Sequence, residues 1–585
     1  MTPSGTTGVV WLRIVLLTLA GAASLAAGLV FLDLIGGNRP SGLDIVRALL
    51  LTLTGFWLVW GGLAGLIGAF IPGGRFRRTL QRPQGKTVVL IPVYNENPIE
   101  TFSRIAAMNR QVVDKGLADL FHFAILSDTT SLEVATQEAV AFERLAQERE
   151  AAGRIFYRRR EINTGKKAGN IEDFVARSGG AYDYAVILDA DSLMEADTLA
   201  AMALRMDADP ELGLLQTVPV VIGAGSVFGR MMAFSSAYLS PYFARGGALL
   251  QGNEGPYWGH NAIIRLRAFA ACCGLPVLSG RPPYGGHILS HDYVEAALLA
   301  RGGWKVGVAP DLGGSYEEGP ENLIEYAKRD RRWCQGNLQH RRLLNAPGLK
   351  AWSRFTLLQG IMAYLASPLW LLLVITSVFA GIFPDRGGDR WGATPWLIGA
   401  GVIATLLIPK LAILLRGIFD GHNRRFGSSG QVVLSVIAEV VLSTILAPVL
   451  LAMQTRAVVQ ILLGLDGGWP ATARDAAAVS VRTAFAASWW IVLLAFGTIG
   501  FLSLAAPAYL PWLLPVAIPA TLAPFTIALT SLGDGRIARN WVFTMPSEIA
   551  PSPVILESRR ILDSWRTTGQ IAVTEPLLGV THARA

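Results

Sequence analysis

The feature that most limits what this chain can become is a long block of ordinary charge density set between stretches with almost no charge. Residues 11–36 and 44–71 precede the block, and most of 356–383, 395–415, 433–453, 485–506 and 508–532 follow it. Each reaches or approaches the roughly 20 residues that cross a hydrocarbon core. With a mean hydropathy of +0.41 and 16% charged residues, the chain is too apolar for an ordinary soluble protein.

The first apolar stretch is long, carries only Arg13 near its start and is soon followed by a second. It reads as a retained anchor rather than a cleaved leader. The block begins with Arg75, Arg77, Arg78, Arg82 and Lys86, and positive charge beside a span marks the cytosolic side. The N-terminus and the block are therefore expected in the cytosol, with the chain crossing its membrane several times; the resemblance given below implies that this is a bacterial inner membrane. The loop with His422, Arg424 and Arg425 and the tail with Arg536, Arg539, Arg559 and Arg560 follow the same rule. If the tail is cytosolic, so is the loop from Arg456 to Arg482. Residues 433–464 contain Pro448 and read as one span plus an interfacial turn or as a re-entrant hairpin. The expected total is seven or eight spans. The division is 1–72 for two N-terminal spans, 73–348 for the cytosolic domain, 349–532 for membrane and interfacial helices, and 533–585 for a cytosolic tail.

A net charge of +8 gathered near the spans fits contact with a lipid bilayer carrying anionic head groups, and nucleic acid is not needed to explain it. Three cysteines, two of them the adjacent Cys272 and Cys273, make no disulfide framework and suit a reducing compartment.

Within the block, short Val-, Ile- and Leu-rich runs alternate with helical patterns, as in an α/β domain with a mostly parallel sheet. The expected strands are Thr87–Val93, His122–Ser127, Arg154–Arg159, Tyr184–Leu188, Leu212–Val218 and Lys305–Val308. The expected helices are Ile99–Asp114, Leu132–Arg149 and Asn170–Arg177. Ligands of such sheets bind at the carboxyl ends of the strands. Tyr94, Asp128, Asp189 and Asp191 all follow strands.

Asp189-Ala190-Asp191 is the sharpest feature. Paired carboxylates at a strand end can hold a hard divalent cation while substrate phosphates complete its shell, and a departing nucleotide diphosphate needs such a cation. A solvated acidic turn is the bland alternative. The company of the pair decides against it: Tyr94 and Glu96 end the first strand, Asp128 ends the second, and Lys167 lies in Lys166-Lys167-Ala168-Gly169-Asn170, where a helix N-terminus favours phosphate oxygens. In this order they describe a nucleotide-sugar site.

A helix expected over Glu321–His340 puts Arg329, Arg332 and Trp333 on one face, where they could meet pyrophosphate and a sugar together; a basic helix against lipid is the alternative. Tyr257-Trp258-Gly259-His260-Asn261 offers an aromatic pair that suits sugar stacking or a core. Glu254 is a weaker acceptor candidate. His287 and His291 also admit a reading as zinc ligands four apart on a helix, with no third ligand in view.

The stretches Ile91–Asn97, Ser127–Thr130, Asn163–Asn170, Leu188–Ser192, Tyr257–Ala262, Ser290–Asp292 and Arg329–Trp333, taken as an ordered set, resemble the family 2 glycosyltransferases of GT-A fold. The likeness spans about residues 85–345 and extends to the processive synthases of cellulose and hyaluronan. It is closer to the membrane enzymes of osmoregulated periplasmic glucans. The resemblance implies an inverting transfer with Asp292 as catalytic base. It implies donor contacts from Tyr94, Glu96, Asp128, Lys167, Asp189, Asp191 and Arg332, with Asp128 at the uridine end and Asp189 and Asp191 at UDP and its metal, Mg2+ or Mn2+. Acceptor contacts fall to Trp258, His260, Arg329 and Trp333. The donor implied is UDP-glucose, the acceptor a growing glucan with a β-1,2 backbone. Acyl carrier protein and a periplasmic glucan-processing protein are the implied partners. Two departures stand out: His291 replaces the glutamate of the usual Thr-Glu-Asp, and Arg329 replaces the usual leading Gln. A cellulose, chitin or hyaluronan synthase is the runner-up, and a transporter with a nucleotide-sugar-sensing domain is a rival of another class.

Overall fold

The computed structural model describes residues 6–36, 40–74, 81–382, 394–465, 478–533 and 541–569. Arg75, Arg77, Arg78, Arg536 and Arg539, which carry part of the charge argument, lie outside them. The chain enters through two apolar helices, α1 (Thr6–Phe31) and α2 (Gly42–Phe70). It then builds β1 (Thr87–Val93), α3 (Pro98–Asp114), β2 (Phe121–Ser127), α4 (Leu132–Ala146), β3 (Ile155–Arg159), α5 (Lys166–Ser178) and β4 (Tyr184–Ile187). These are right where the apolar runs place them, with ends moved by a residue or a few. Val89, Ile91 and Val93 pack into one core and Val88 and Leu90 into another on the opposite face, which is what alternation in a sheet covered on both sides requires.

The second half departs from a purely parallel reading. After β5 (Leu193–Met194), α6 (Ala196–Ala208), β6 (Leu212–Thr217) and β7 (Val220–Ile222) come two helices, α7 (Val227–Tyr238) and α8 (Ser240–Gln251). Next are β8 (Ala262–Arg265), α9 (Leu266–Cys272), α10 (His291–Arg301), β9 (Lys305–Ala309), β10 (Ser315–Glu318) and α11 (Leu323–Gln339). The main sheet has the order β3-β2-β1-β4-β8-β6-β9, and a small sheet has the order β5-β10-β7. β8 runs antiparallel between β4 and β6, so the turn before β8 lies beside the carboxyl end of β4.

The rest is helical: α12 (Ala351–Ile382), α13 (Thr394–Phe419), α14 (Ser429–Leu462), α15 (Val481–Ala505), α16 (Leu510–Thr521) and α17 (Ala523–Thr530). Six described helices are long and apolar enough to cross a membrane, and a bent stretch, Pro507–Thr521 with Ala523–Thr530, raises the count to seven at most. Eight is not reached among the described residues, because residues 433–462 form part of one continuous helix instead of a hairpin.

Several contacts fix the helical part to the α/β block. A Cβ on Gly68 of α2 would overlap the Tyr242 carbonyl at 1.8 Å, and one on Gly246 of α8 the Ala64 carbonyl at 1.9 Å, so the two backbones touch as small residues allow. Arg13 of α1 donates to the carbonyls of Leu250 and Gln251 and pairs with Glu254 at 2.8 Å. Both ends of α14 also meet the block. Tyr238 donates to Asn423 just before α14 at 2.8 Å, while Tyr284 donates to the Leu462 carbonyl at 2.6 Å and Arg331 to that of Leu465 at 3.2 Å. Finally, a helix at Pro553–Gly569 returns to the block. Its Val554, Ile555, Ile561 and Trp565 join the core beneath α3, and Arg110 of α3 pairs with its Glu557 at 2.7 Å.

Candidate active site

The strand ends are shaped by local hydrogen bonds. Asn95 follows β1 with φ +58°. Its N–H donates to Thr129 Oγ1 at 3.0 Å, and its side-chain oxygen accepts from the N–H groups of Thr130 and Ser131 at 3.2 and 3.1 Å. The loop holding Tyr94 and Glu96 is thereby clipped to the end of β2. Tyr94, half-exposed at the rim, donates its N–H to the Glu96 carboxylate.

Asp128 is buried, and both of its carboxylate oxygens accept hydrogen bonds. Arg160 grips it through two bonds of 2.8 and 2.7 Å, and Asn170 of α5 donates at 2.9 Å. A bidentate guanidinium clamp of this kind fixes orientation as well as charge. In this chain Asp128 thus ties the end of β2 to the first turns of α5, the helix that carries Lys167.

Lys167 is the hub. Its ammonium donates to Asp189 Oδ1 and, at 2.7 Å, to the Gly259 carbonyl. Gly259, with φ +85°, lies against Asp292: a Cβ there would sit 3.5 Å from Asp292 Cβ and 3.6 Å from Oδ2. Three residues chosen from distant stretches, Asp189, Lys167 and Asp292, therefore surround one backbone turn. That turn is held by Gln216 of β6, which accepts from the Trp258 N–H at 3.0 Å and donates to the His260 carbonyl at 2.9 Å. Asn261 locks it to the acidic pair, accepting from Ser192 Oγ at 2.6 Å while donating to Ser315 at 2.8 Å; Ser192 in turn accepts from the Asp189 N–H at 3.0 Å.

Burial raises the Asp292 carboxyl above its ordinary value; His291 opposes this, Glu295 adds to it, and Lys167 opposes it again. Carboxyls lifted in this way are suited to accepting a proton near neutral pH.

Glu317 of β10 was not singled out by the sequence. It lies 3.5 Å from His260 Nε2, and its carboxyl is raised by burial, lowered by His260 and Arg329, and raised by Asp191 and Asp189. It thus gathers His260, Arg329 and both aspartates around one buried acid. Arg104 of α3, also missed, donates to the Ala190 carbonyl at 3.1 Å and pairs with Glu318. Neither belongs to a recognisable motif, so only the fold could reveal them.

On α11 the Arg329 guanidinium stacks 4.3 Å over the Trp333 ring, as i, i+4 spacing allows. Arg332 is half-buried between them in sequence, and Trp333 is exposed. The helix is braced against the loop before α10: Gln339 accepts from the Leu289 N–H at 3.0 Å, and His340 Nε2 lies 2.9 Å from the Ser290 carbonyl. Glu254, by contrast, is occupied with Arg13 and Lys350 and serves as an anchor for α1. The zinc reading fails: His291 opens α10 and pairs with Glu295 at 3.0 Å, His287 lies outside that helix, and no cluster of three or more His, Cys, Asp or Glu suited to a metal gathers among the described residues. Asp189 and Asp191 would accordingly hold a cation only together with oxygens of a bound diphosphate, a donor set that suits a hard ion.

Residues 184–415 match the glycosyl transferase family group 2 profile, and residues 88–272 match glycosyl transferase family 2. A protein of Cereibacter sphaeroides named glucans biosynthesis glucosyltransferase H is 50% identical, covering 96% of this chain and 97% of that protein. The chain belongs to the glucans biosynthesis glucosyltransferase H family. A member from Xylella fastidiosa is 37% identical over 88% of this chain and 85% of its own length. Among solved structures, a mannosyltransferase PcManGT from Pyrobaculum calidifontis in complex with GDP-Man and Mn2+ matches at 16% identity and a TM-score of 0.42, covering 65% of this chain and 99% of that one; this is too loose to bear on the site. Family membership makes the chain a family 2 glycosyltransferase of GT-A fold, and its apolar helices make it a membrane protein.

Proposed function

We propose that this chain is an inverting, processive glucosyltransferase that moves glucose from UDP-glucose to a growing periplasmic glucan with a β-1,2 backbone and guides the product through the bacterial inner membrane. The observation that carries the reading is the meeting of Asp189, Lys167 and Asp292 around Gly259 at the carboxyl end of β4. This supports the reading because an inverting transfer needs a cationic corner for phosphate beside a carboxyl able to take a proton, and Lys167 and Asp292 suit those parts.

Asp292 takes the proton of the acceptor hydroxyl as that oxygen attacks the anomeric carbon from the face opposite UDP. The C1–O bond to UDP breaks as the new C1–O bond forms, with no covalent enzyme intermediate. Lys167 and Arg332 face the negative charge that builds on the diphosphate. Mg2+ or Mn2+ held by Asp189 and Asp191 supplies further charge stabilisation when bound. Tyr94, Glu96 and the clamped Asp128 form the nucleoside end, while Trp258, His260, Arg329 and Trp333 form the acceptor side. The catalytic block, residues 73–348, lies in the cytosol, and the helices packed against it enclose the route of a polar product that cannot cross lipid unaided. Acyl carrier protein and a periplasmic processing protein are proposed partners on family membership alone.

Purified protein in nanodiscs with radiolabelled UDP-glucose and Mg2+, followed by glycosyl linkage analysis, tests the reading. Release of UDP with 1,2-linked glucan is the expected result. Product that is purely 1,4-linked, or that contains N-acetylglucosamine, would replace it with a cellulose, chitin or hyaluronan type of synthase.

A further inference from the structure

One buried polar group next to the site has no part in the scheme above. His291 and Glu295 sit one turn apart on α10, 8% and 3% exposed, with Nδ1 and Oε1 3.0 Å apart. Asp292 is the neighbour of His291 in the chain. An acid buried this deeply is costly unless a cation faces it, and His291 is the partner that the structure gives Glu295. The second Glu295 oxygen, the Tyr257 hydroxyl and His291 Nδ1 itself are buried without a well-aligned hydrogen bond among the described residues, so the His291–Glu295 contact is one of charge at close range.

We propose that His291 and Glu295 form a buried ion pair whose imidazolium holds the Asp292 carboxylate ionised, making His291 a positioning residue for the general base. This rests on the assignment of Asp292 as base. The helix N-terminus favours the Asp292 anion but disfavours a cation at His291, so Glu295 has to supply the balance. It does: burial alone would lower the His291 pKa, yet the Glu295 carboxylate outweighs it and the net direction is up, with Asp292 adding to the rise and Lys167 opposing it. The other ionisable groups near the first turns of α10 are Tyr293 on the same helix, whose far end carries Arg301, then Lys167 from α5, Asp189 after β4, Tyr257 before β8, Cys273 after α9 and His340 after α11. Of these, Lys167 is held by Asp189 and Gly259, and burial keeps His340 neutral, its pKa lowered to about 4. The imidazolium is thus the cation nearest in sequence to the base and the one whose charge depends on a buried acid.

The test is the pH dependence of kcat in the full-length enzyme. His291→Gln leaves a buried anion facing Asp292, so the acid limb moves up by about one pH unit, kcat recovers at alkaline pH, and KM for UDP-glucose holds. Adding Glu295→Gln to that variant moves the limb back part of the way, and His291→Lys, which retains a cation, also returns it. A limb that stays in place while kcat falls equally at every pH would overturn the proposal. Should the variants fail to fold, native protein with 15N-labelled histidine gives the answer directly: an imidazolium signal for His291 at pH 7.5 supports the pair, and a neutral ring refutes it. Asp292→Asn separates the two claims. Retained turnover there removes the base assignment, whereas lost turnover with an unshifted limb in His291→Gln removes only the ion-pair role.

Discussion

Gly259 faces Asp292 across a gap that one methyl group would fill, a Cβ there lying 3.5 Å from Asp292 Cβ, while its carbonyl accepts from Lys167 at 2.7 Å. One residue therefore stands between Lys167 and Asp292, the groups proposed to meet the diphosphate and the acceptor. Its φ of +85° is a conformation that a side chain resists.

Gly259→Ala should cost about 1–2 kcal/mol of stability from the backbone alone. The added methyl itself fits at 3.5 Å from Asp292, but relief of the strained φ shifts the turn, and small misplacements of reacting groups lower rates by up to about 10²-fold. Thermal unfolding and initial rates measured together would show the loss in kcat exceeding the loss in stability; equal activity would mean that Asp292 is not held by this turn.

Asp292→Asn should reduce kcat by about 10²–10⁴-fold with UDP affinity nearly unchanged, read by calorimetry beside turnover. In the wild type the base must be deprotonated. Because the Asp292 pKa is raised from 3.8, activity falls as pH drops through a value above the ordinary carboxylate range. An acid limb at or below pH 4 would contradict this.

Chelation with EDTA should stop turnover, and Mg2+ or Mn2+ should restore it. Asp189→Asn and Asp191→Asn should each raise the cation concentration needed for half-maximal rate, since each removes one hard oxygen ligand's charge. Full activity in EDTA would dismiss the cation.

The path of α14 can be settled by counting sides. The helix Pro553–Gly569 packs on the same block that α2 enters, so the chain between them must cross the bilayer an even number of times. α12, α13, α14, α15 and the bent α16–α17 stretch are five candidates, and α14 is the one whose two ends both meet the block. It should lie along the cytosolic interface, leaving six crossings in all. Cysteines placed at Ser429 and Gly464 should both react with a membrane-impermeant maleimide in inside-out vesicles and in neither case from the periplasm. Cys273 and Cys334 are buried and Cys272 half-buried, which keeps the background low.

Trp565→Ala should destabilise the protein by about 3–5 kcal/mol, because the ring is 9% exposed within the core beneath α3. Thermal melts of the detergent-solubilised protein would register it. A change within about 0.5 kcal/mol, the range for surface positions, would show the helix to be loosely held.

The parallel half of the sheet was legible because β1, β2 and β4 are apolar runs long enough to be buried on both faces, bounded by polar turns. β8 was not, since its three apolar residues end at Arg265 and nothing in so brief a run reports that it pairs antiparallel. The antiparallel insertion of β8 is what carries Gly259 to Lys167, so the sequence offered both acids but not the turn between them. Glu317 and Arg104 were hidden for the same reason: their partners are distant in the chain. Asp128 shows the converse, for its position at a strand end was readable while the Arg160 clamp on its carboxylate was not. With α14, hydropathy reported composition correctly and said nothing of direction.

The return of Pro553–Gly569 to α3 also orders biosynthesis. The first half of the α/β block leaves the ribosome early, yet the apolar underside of α3 stays uncovered until Trp565 emerges, after the apolar helices have been made. A polypeptide that ends before that point leaves this apolar surface exposed to water, so the catalytic core is complete only once the last residues of the chain have been made.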